Sequence, residues 1–273
     1  MPELPEVETI RRYLLYGKPG SPPVLGETIA ATQLLWERTL AEPAPEEFRA
    51  RIAGQSIRDI GRRGKFLLLH LSPDTLLVHL RMSGDLWVEP AAAPLAPHHR
   101  LVLDFASGLR LAFNDPRKFG RAWLVADPQT VLGSLGPEPL DPALAPQDLY
   151  LRLHAHHRRL KPLLLDQAFL AGLGNIYTDE ALHLAGLHPL TLASQLTLEQ
   201  STRLLASIRQ VLEQGIRQNG ASIDWVYRGG DFQNYFRAYG RTGEACPVCG
   251  APIQKLMVGQ RSTHFCPVCQ KID

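Results

Sequence analysis

The four cysteines of this chain all lie near its C-terminus, and they constrain the fold more than any other feature. They form two Cys-x-x-Cys pairs, Cys246 with Cys249 and Cys266 with Cys269. Two such pairs at this separation are typical of a tetrahedral Zn²⁺ site with four thiolate ligands. Two disulfides or a redox-active pair are the alternatives. The N-terminal residues show no cationic-then-apolar secretion pattern, which favours zinc over disulfides.

The segment between the two cysteine pairs predicts the structure around this metal. Residues 252–265 are typical of a β-hairpin, with Gly259 at its turn and Arg261 just beyond. The segment is too short to bury a core, so one structural zinc ion supplies most of its folding free energy. We therefore expect a zinc ribbon with Arg261 near its tip, where the side chain could reach a groove or a substrate.

Hydrophobic periodicity predicts a helix and then a β-rich domain in the first half of the chain. Ile10, Leu14 and Leu15 have helical spacing and predict a helix over 9–16. Short apolar runs bounded by turn residues then predict a β-sandwich or barrel between residues 24 and 125. The clearest of these runs are 65–70, 76–80, 100–105 and 109–113.

The second half of the chain is predicted to be helical. A Pro- and Gly-rich stretch over 133–147 is typical of an interdomain linker, and helical periodicity beyond it is clearest over 196–218. Glycines in the stretch 170–180 lead into a predicted helix N-terminus, where backbone N–H groups suit a phosphate. Asn175 stands at this point and could cap the helix or contact a nucleic-acid backbone.

The N-terminus carries a candidate nucleophile. Removal of Met1 would leave Pro2 with a secondary amine, whose reference pKa of about 8 leaves a useful fraction unprotonated near neutral pH. An adduct of this amine with an aldehyde carbon is a cationic iminium. Glu3 and Glu6 place two carboxylates nearby for proton transfer. The alternative is an ordinary helix start, with Pro5 in the first turn and acids at its positive end.

Composition is that of a globular protein, with 45% hydrophobic and 21% charged residues. No apolar run reaches the roughly 18 residues that a membrane helix needs, so no membrane partner is expected. The net charge of +2 says little about partners. Basic residues nevertheless cluster, which suits a phosphate backbone unless nearby acids balance each cluster. The clusters are Arg58, Arg62, Arg63 and Lys65; Arg117, Lys118 and Arg121; and Arg152, Arg158, Arg159 and Lys161.

Two predicted turns carry apolar side chains where polar ones are usual. Met82 lies in the turn 81–84, and Phe119 lies between cations in the turn 114–120. Duplex-bending proteins insert such side chains between base steps, and an adjacent arginine such as Arg117 could hydrogen-bond an orphaned base. The alternative is that both side chains fold back into the core.

These motifs, in this order over essentially the whole chain, resemble bacterial formamidopyrimidine-DNA glycosylases. The resemblance implies an α+β multidomain fold: an N-terminal helix with an antiparallel β-sandwich, a helical domain with a helix–two-turn–helix, and a zinc-ribbon β-hairpin. It also implies a domain division, a metal-ligand set and a lesion-capping loop at 221–235. The matching motifs are 1–9, 64–66, 79–84, 115–120, 172–177, 239–241 and the four cysteines. The implied domains are a catalytic sandwich over 1–132, a linker over 133–147, a helical DNA-binding domain over 148–238 and the zinc ribbon over 239–273.

The resemblance implies a bifunctional DNA-repair enzyme. Such enzymes excise oxidised purines, chiefly 8-oxoguanine and formamidopyrimidines, and then nick the abasic strand by β- and δ-elimination. Pro2 would attack C1′ of a flipped nucleotide. Glu3 would assist opening of the sugar ring and later proton transfers, with Glu6 as a supporting carboxylate. Lys65 would act in β-elimination and Arg261 in δ-elimination and in binding the flanking phosphates.

The resemblance also implies a DNA interface on damaged duplex DNA. Met82, Arg117 and Phe119 would fill the vacated stack, with Arg117 contacting the orphaned cytosine. The implied enzyme is a monomer in the bacterial cytoplasm, associated with the nucleoid. The predicted backbone contacts are His98, Arg158, Lys161, Asn175 and Tyr239.

Two departures from the family pattern and two rival functions stay open. The family often has a second histidine where this chain has Arg100, and a lysine-rich stretch where it has His-His-Arg-Arg at 156–159. An endonuclease VIII-like enzyme, which prefers oxidised pyrimidines, is one rival, but Leu4 and the intact pair Arg117 and Phe119 favour the purine enzyme. A non-catalytic zinc-ribbon DNA-binding protein is the other, and it gives no reason for a terminal Pro-Glu pair.

Overall fold

The computed structural model describes residues 1–222 and 229–272, and the chain forms two compact units. The first contains residues 1–133, with 222 and 229, and the second contains 134–221 and 230–272. The middle of the predicted capping loop lies outside the described residues. The domain limits proposed from the sequence stay a prediction.

The first unit is a β-sandwich, which confirms that prediction. A four-stranded antiparallel sheet has the strand order β1-β7-β8-β6, and a five-stranded sheet has the order β2-β9-β5-β4-β3, in which the short edge pair β2–β9 is parallel. Aliphatic and Phe side chains from both sheets form one buried core. The strands are β1 Ile29–Leu34, β2 Leu40–Glu42, β3 Asp59–Arg63, β4 Phe66–His70, β5 Thr75–His79, β6 Asp85–Pro90, β7 His99–Phe105, β8 Leu109–Asn114 and β9 Arg121–Val125.

Helix α1 (Leu4–Tyr16) begins five positions before the predicted start at Thr9. Pro5 lies in its first turn, where the missing N–H costs nothing, and the apolar periodicity of Val7, Ile10 and Leu14 continues onto the sandwich core. The predicted start at Thr9 rested on the apolar spacing alone, whereas the alternative of a helix start with Pro5 in its first turn and acids at its positive end describes the observed geometry. Helices α2 (Pro45–Ile52) and α3 (Gln129–Leu132) complete the helices of this unit.

The second unit is helical, with a small ribbon at its C-terminal end. Its longest helices, α6 and α7, pack against each other. A Cβ on Gly215 of α7 would lie 2.5 Å from the ring of the fully buried Tyr177 of α6, so glycine permits this close approach. Among the described residues, no helix is long and apolar enough to cross a bilayer. The helices are α4 Pro146–His154, α5 Leu160–Leu164, α6 Asn175–Ala185 and α7 Leu198–Arg217.

The predicted ribbon hairpin is confirmed. Strands β10 (Gln254–Val258) and β11 (Arg261–Phe265) are antiparallel and joined by Gly259 and Gln260. Both turn residues have positive φ, 54° and 63°, as a type I′ turn requires. Arg261 opens β11 and is exposed, directly beyond the turn as the sequence predicts.

Candidate functional site

The start of α1 buries the candidate nucleophile and both carboxylates beside it. Pro2 is buried, and Glu3 and Glu6 are each 2% exposed. The Glu3 backbone N–H donates to Glu6 Oε2 at 2.7 Å, so Glu6 holds the chain immediately after Pro2. The helix-start interpretation is therefore correct about the geometry, and it is compatible with a nucleophilic Pro2.

Glu8 ties α1 to the edge strand β3. Arg62 donates to Glu8 Oε2 at 3.3 Å, and Arg11 donates to Ile60 O at 3.2 Å. Burial alone would raise the pKa of the Glu8 carboxyl, but hydrogen bonds from Arg11 and Arg12 hold that pKa below its ordinary value. Glu8 therefore stays ionised and fixes α1 on β3. Arg62 of the first basic cluster therefore stabilises the fold through its ion pair with Glu8.

Lys65 lies in the two-residue turn between β3 and β4, one residue before the strand on which it was expected. It is 5% exposed although it is a lysine in a turn. The ring of His79 packs edge-on against Phe66 at 4.7 Å between centroids. Burial, with Arg81 and Lys65 nearby, lowers the pKa of His79 to about 3, so the imidazole beside Lys65 is neutral. Since α1 packs on β3 and β4, the fold brings the N-terminal helix against the strands that carry Lys65.

Asp115 connects the two loops that carry the exposed apolar side chains. Its carboxylate accepts the Ser83 hydroxyl from the first loop and the N–H groups of Arg117, at 3.2 Å, and Gly120, at 2.7 Å, from its own. A Cβ on Gly120 would overlap the ring of Phe113 and lie 3.1 Å from Asp115 Oδ2. The buried Asp115 therefore fixes the shape of both loops, a role that the sequence analysis missed.

The side chains on these loops point outward. Met82 is 37% exposed and Phe119 is 49% exposed, so neither folds back into the core. The guanidinium carbon of Arg117 lies 5.2 Å from the centroid of the Phe119 ring, a cation–π distance. The loops thus present two apolar tips and one stacked cation to the outside of the unit.

Arg100 supports the exposed His98. Its Nε donates to Asp115 O at 2.8 Å, and its Nη2 lies 3.3 Å from His98 Nδ1. Because arginine can only donate, His98 Nδ1 is the acceptor and its Nε2 carries the proton. The departure from the family pattern at Arg100 therefore leaves His98 as an N–H donor, which suits a phosphate contact.

In the second unit, one face of α6 holds the segments that carry Arg261 and Tyr239. Asn175 Nδ2 donates to Ser262 O at 3.0 Å, and Asp179 Oδ2 accepts the His264 N–H at 2.9 Å. Glu180 accepts three consecutive backbone N–H groups, those of residues 237–239, at 2.8 to 2.9 Å. The spacing i, i+4, i+5 places these polar side chains on one helix face. Polar residues at this spacing in a predicted helix were the sequence signal for Asp179 and Glu180, and sequence reasoning did not use it.

The predicted backbone-contact residues of this unit differ in exposure. Lys161 is fully buried, and its Nζ donates to Asp179 Oδ1 at 2.6 Å and to Ser262 O at 3.0 Å. Arg158 is exposed, and its Nη1 donates to Asp166 at 2.6 Å. Tyr239 is half-buried, and the centroid of its ring lies 5.1 Å from that of the His264 ring. Acids thus balance Lys161 and Arg158 of the third basic cluster, and their contact with a nucleic acid stays a prediction.

The four cysteine sulfurs are arranged to hold a metal ion. All four Sγ atoms lie within 4.8 Å of one another, and the pairs Cys246–Cys269 and Cys249–Cys266 are 3.9 and 3.4 Å apart. A tetrahedron with Zn–S bonds of about 2.3 Å has S···S edges of about 3.8 Å, so the donor set fits Zn²⁺. Bound zinc would supply folding free energy to the ribbon.

Treatment with a strong chelator is expected to release one Zn²⁺ per chain and to unfold the ribbon. The cluster of buried residues there is small and consists largely of the ligands and their neighbours, so little else holds the segment. A chromophoric chelator measures the stoichiometry, and hydrogen exchange measures protection of the amides of 246–270. Zinc-free protein that keeps these amides protected would contradict the prediction.

Comparison with known families accounts for most of the chain. Residues 1–122 match the formamidopyrimidine-DNA glycosylase N-terminal domain, 135–226 match the H2TH domain of the same enzymes, and 243–272 match a zinc finger found in FPG and IleRS.

Full-length relatives and solved structures agree with these matches. The formamidopyrimidine-DNA glycosylase of Chloroflexus aurantiacus is 47% identical over 279 residues, covering 99% of this chain and 98% of the relative. The Lactococcus lactis Fpg (MutM) bound to DNA containing N7-benzyl-Fapy-dG is 37% identical with a TM-score of 0.91, covering 99% and 100% of the two chains. A MutM complex with DNA containing carbocyclic 8-oxo-G has the same identity, coverage and TM-score.

Proposed function

The chain belongs to the formamidopyrimidine-DNA glycosylase family, and from this premise we propose that Pro2 is the nucleophile with which it excises oxidised purines from duplex DNA. The protein is a base-excision repair glycosylase with abasic-site lyase activity. The observation that supports the role of Pro2 is its burial at the positive end of α1, next to Glu3 and Glu6. The zinc ion is structural.

The catalytic roles follow from the chemistry of each group. The Pro2 amine attacks C1′ of the flipped nucleotide, the C1′–N bond to the base breaks, and the base leaves with a proton. In this proposal Glu3 protonates the sugar ring oxygen as the ring opens to the iminium. Glu6, through its hydrogen bond to the Glu3 N–H, positions the residues that react. Lys65 serves β-elimination, and the exposed Arg261 serves δ-elimination and phosphate binding.

The exposed loops of the first unit suit the space left by a flipped nucleotide. In this proposal Met82 and Phe119 act as apolar wedges and Arg117 hydrogen-bonds the orphaned cytosine; the exposure of both apolar side chains and the contact of Arg117 with the Phe119 ring support it. The backbone contacts are assigned to His98, Arg158, Lys161, Asn175 and Tyr239. We further propose that the enzyme is a monomer and acts at the bacterial nucleoid; the solved complexes of relatives with damaged DNA support the DNA partner.

Asp115→Asn is expected to lower kcat/KM on duplex containing 8-oxoguanine about 10–100-fold. The NH2 group that replaces one carboxylate oxygen cannot accept, so either the Gly120 N–H or the pair of the Ser83 hydroxyl and the Arg117 N–H loses its acceptor, and a hydrogen bond to a charged group is worth about 1.5–3 kcal/mol. Single-turnover kinetics measure the effect. Asp127→Asn is the control, because the exposed Asp127 caps only a surface turn. Equal rates for the two variants would show that the loop does not need Asp115.

Borohydride trapping on three duplexes tests the proposed function. The duplexes contain 8-oxoguanine opposite cytosine, thymine glycol opposite adenine, or no lesion. We expect a covalent protein–DNA product with the first duplex, with mass spectrometry placing the link on Pro2. A strong product with thymine glycol alone would select the pyrimidine-specific enzyme. Tight binding without an adduct on any duplex would select the non-catalytic DNA-binding protein.

A further inference from the structure

Helix α6 makes one contact with the cysteine cluster that the site described so far does not use. The Nε2 atom of His183 lies 3.3 Å from Cys246 Sγ, and the two residues are each 3% exposed. His183 lies one turn beyond Asp179 on α6. The same helix face that binds the ribbon hairpin therefore reaches the sulfur cluster itself.

The chemistry of the two groups fixes the direction of this hydrogen bond. A cysteine that binds Zn²⁺ is a thiolate without a proton, so only the imidazole can donate. His183 Nδ1 is buried and has no hydrogen-bond partner among the described residues. A proton on Nδ1 would leave a buried donor unpaired and turn a lone pair toward the sulfur. The neutral tautomer with its proton on Nε2 avoids both costs.

His183 lies outside the set of metal ligands. Within residues 1–222 and 229–272, the side chains that lie close enough together to bind one metal ion are the four cysteines. The histidine thus contacts one ligand from outside the tetrahedron. Cys266 has a different donor, the Cys269 backbone N–H at 3.4 Å, which belongs to the Cys-x-x-Cys turn itself.

We propose that His183 is a positioning residue of the zinc centre, which donates an N–H···S hydrogen bond to the Cys246 thiolate. Four thiolates around Zn²⁺ carry an excess of negative charge, and a buried N–H at one sulfur stabilises that charge. The hydrogen bond also withdraws electron density from the sulfur, so Cys246 becomes a poorer nucleophile toward electrophiles. Because the donor sits on α6, zinc affinity depends on the packing of this helix against the ribbon.

The pair His183→Gln and His183→Met tests the proposal in the zinc-loaded, full-length protein. Glutamine and methionine are both unbranched and of similar size, but only glutamine has an N–H to donate. We expect His183→Met to weaken zinc affinity roughly 10–100-fold, the usual effect of losing a hydrogen bond to a metal ligand. His183→Gln should stay close to the wild type. Competition with a chromophoric chelator measures the affinity.

Alkylation mapping gives a second, independent readout. With limiting iodoacetamide, the wild type should react first at the exposed Cys249, whereas His183→Met should also react early at Cys246. The matched controls are His188→Gln and His188→Met. His188 also packs against the ribbon, with its ring centroid 4.7 Å from that of Phe265. Its Nδ1 accepts the Leu190 N–H rather than contacting a cysteine sulfur.

Three results would overturn the proposal. The first is equal zinc affinity of His183→Gln and His183→Met, whether both are weak or both normal, because the donor would then not matter. The second is a loss of zinc affinity in His188→Met as large as that in His183→Met, because the packing of the helix against the ribbon would then explain both losses. The third is an unchanged order of cysteine alkylation in His183→Met. All three are measured without DNA, so they are separate from any test of Pro2.

Discussion

Protein that begins with the free amine of Pro2 is expected to excise 8-oxoguanine, and the same protein with Pro2 in a peptide bond is expected to lose at least about a thousandfold in rate. The amide lone pair is delocalised into the carbonyl and is not nucleophilic, whereas a terminal amine has a pKa of about 8. All side chains are the same in the two forms. The proposed role of Pro2 therefore predicts that activity requires removal of Met1, which is 36% exposed.

The comparison uses two preparations of the one sequence. One is processed to begin at Pro2, and the other keeps an uncleaved extension. Single-turnover excision and borohydride trapping measure activity, and a gel-shift assay measures whether DNA binding survives. Equal trapping of both forms would remove Pro2 as the nucleophile and would make a lysine such as Lys65 the next candidate.

Lys161→Met is expected to lower the free energy of unfolding by about 3–5 kcal/mol. Lys161 and Asp179 have fully buried side chains, and Lys161 Nζ lies 2.6 Å from Asp179 Oδ1. Removing the lysine leaves an uncompensated carboxylate inside the protein. The free-energy cost of that buried charge is far larger than the net contribution of the ion pair to stability. The substitution also removes a donor from Ser262 O in the hairpin that carries Arg261. Urea unfolding followed by circular dichroism measures the loss.

Two further variants identify the cause of this loss. Arg158→Met breaks the exposed pair with Asp166, and it should cost at most about 1 kcal/mol. The double variant Lys161→Met with Asp179→Asn should recover much of the stability, because asparagine is neutral and still offers an oxygen to the His264 N–H. If Lys161→Met were as stable as Arg158→Met, the prediction would be wrong, because the charge of Asp179 would then be compensated without Lys161.

Local features of the sequence predicted the elements whose structure depends on few residues. The zinc ribbon followed from cysteine spacing, and the hairpin followed from Gly259 between two short runs. The β-sandwich followed from short apolar runs separated by turn residues. The predicted start of α1 was five residues too late, because the apolar spacing begins only after the first turn, which Pro5 and the acids form.

Contacts between distant segments could not be predicted in this way. The bond from Ser83 to Asp115 joins two loops, and Lys161, Asp179 and Ser262 come from three separate elements. No local pattern indicates which buried acid faces which cation, since that depends on how whole helices and hairpins pack. The third basic cluster shows the consequence, because two residues predicted to contact DNA also form ion pairs within the protein.

By itself, the sequence determined the chemistry available to this protein: a Pro-Glu pair near the N-terminus, apolar turn residues beside an arginine, and four cysteines for zinc. These depend on residue type and short spacing, which the chain order alone fixes. The tertiary structure decided how each group is held. It buried Pro2 and Glu3 at the positive end of α1, fixed both wedge loops through Asp115, and set α6 against the ribbon with Asp179, Glu180 and His183. Burial turns such contacts into strong constraints, because a polar group removed from water must find its partner within the fold.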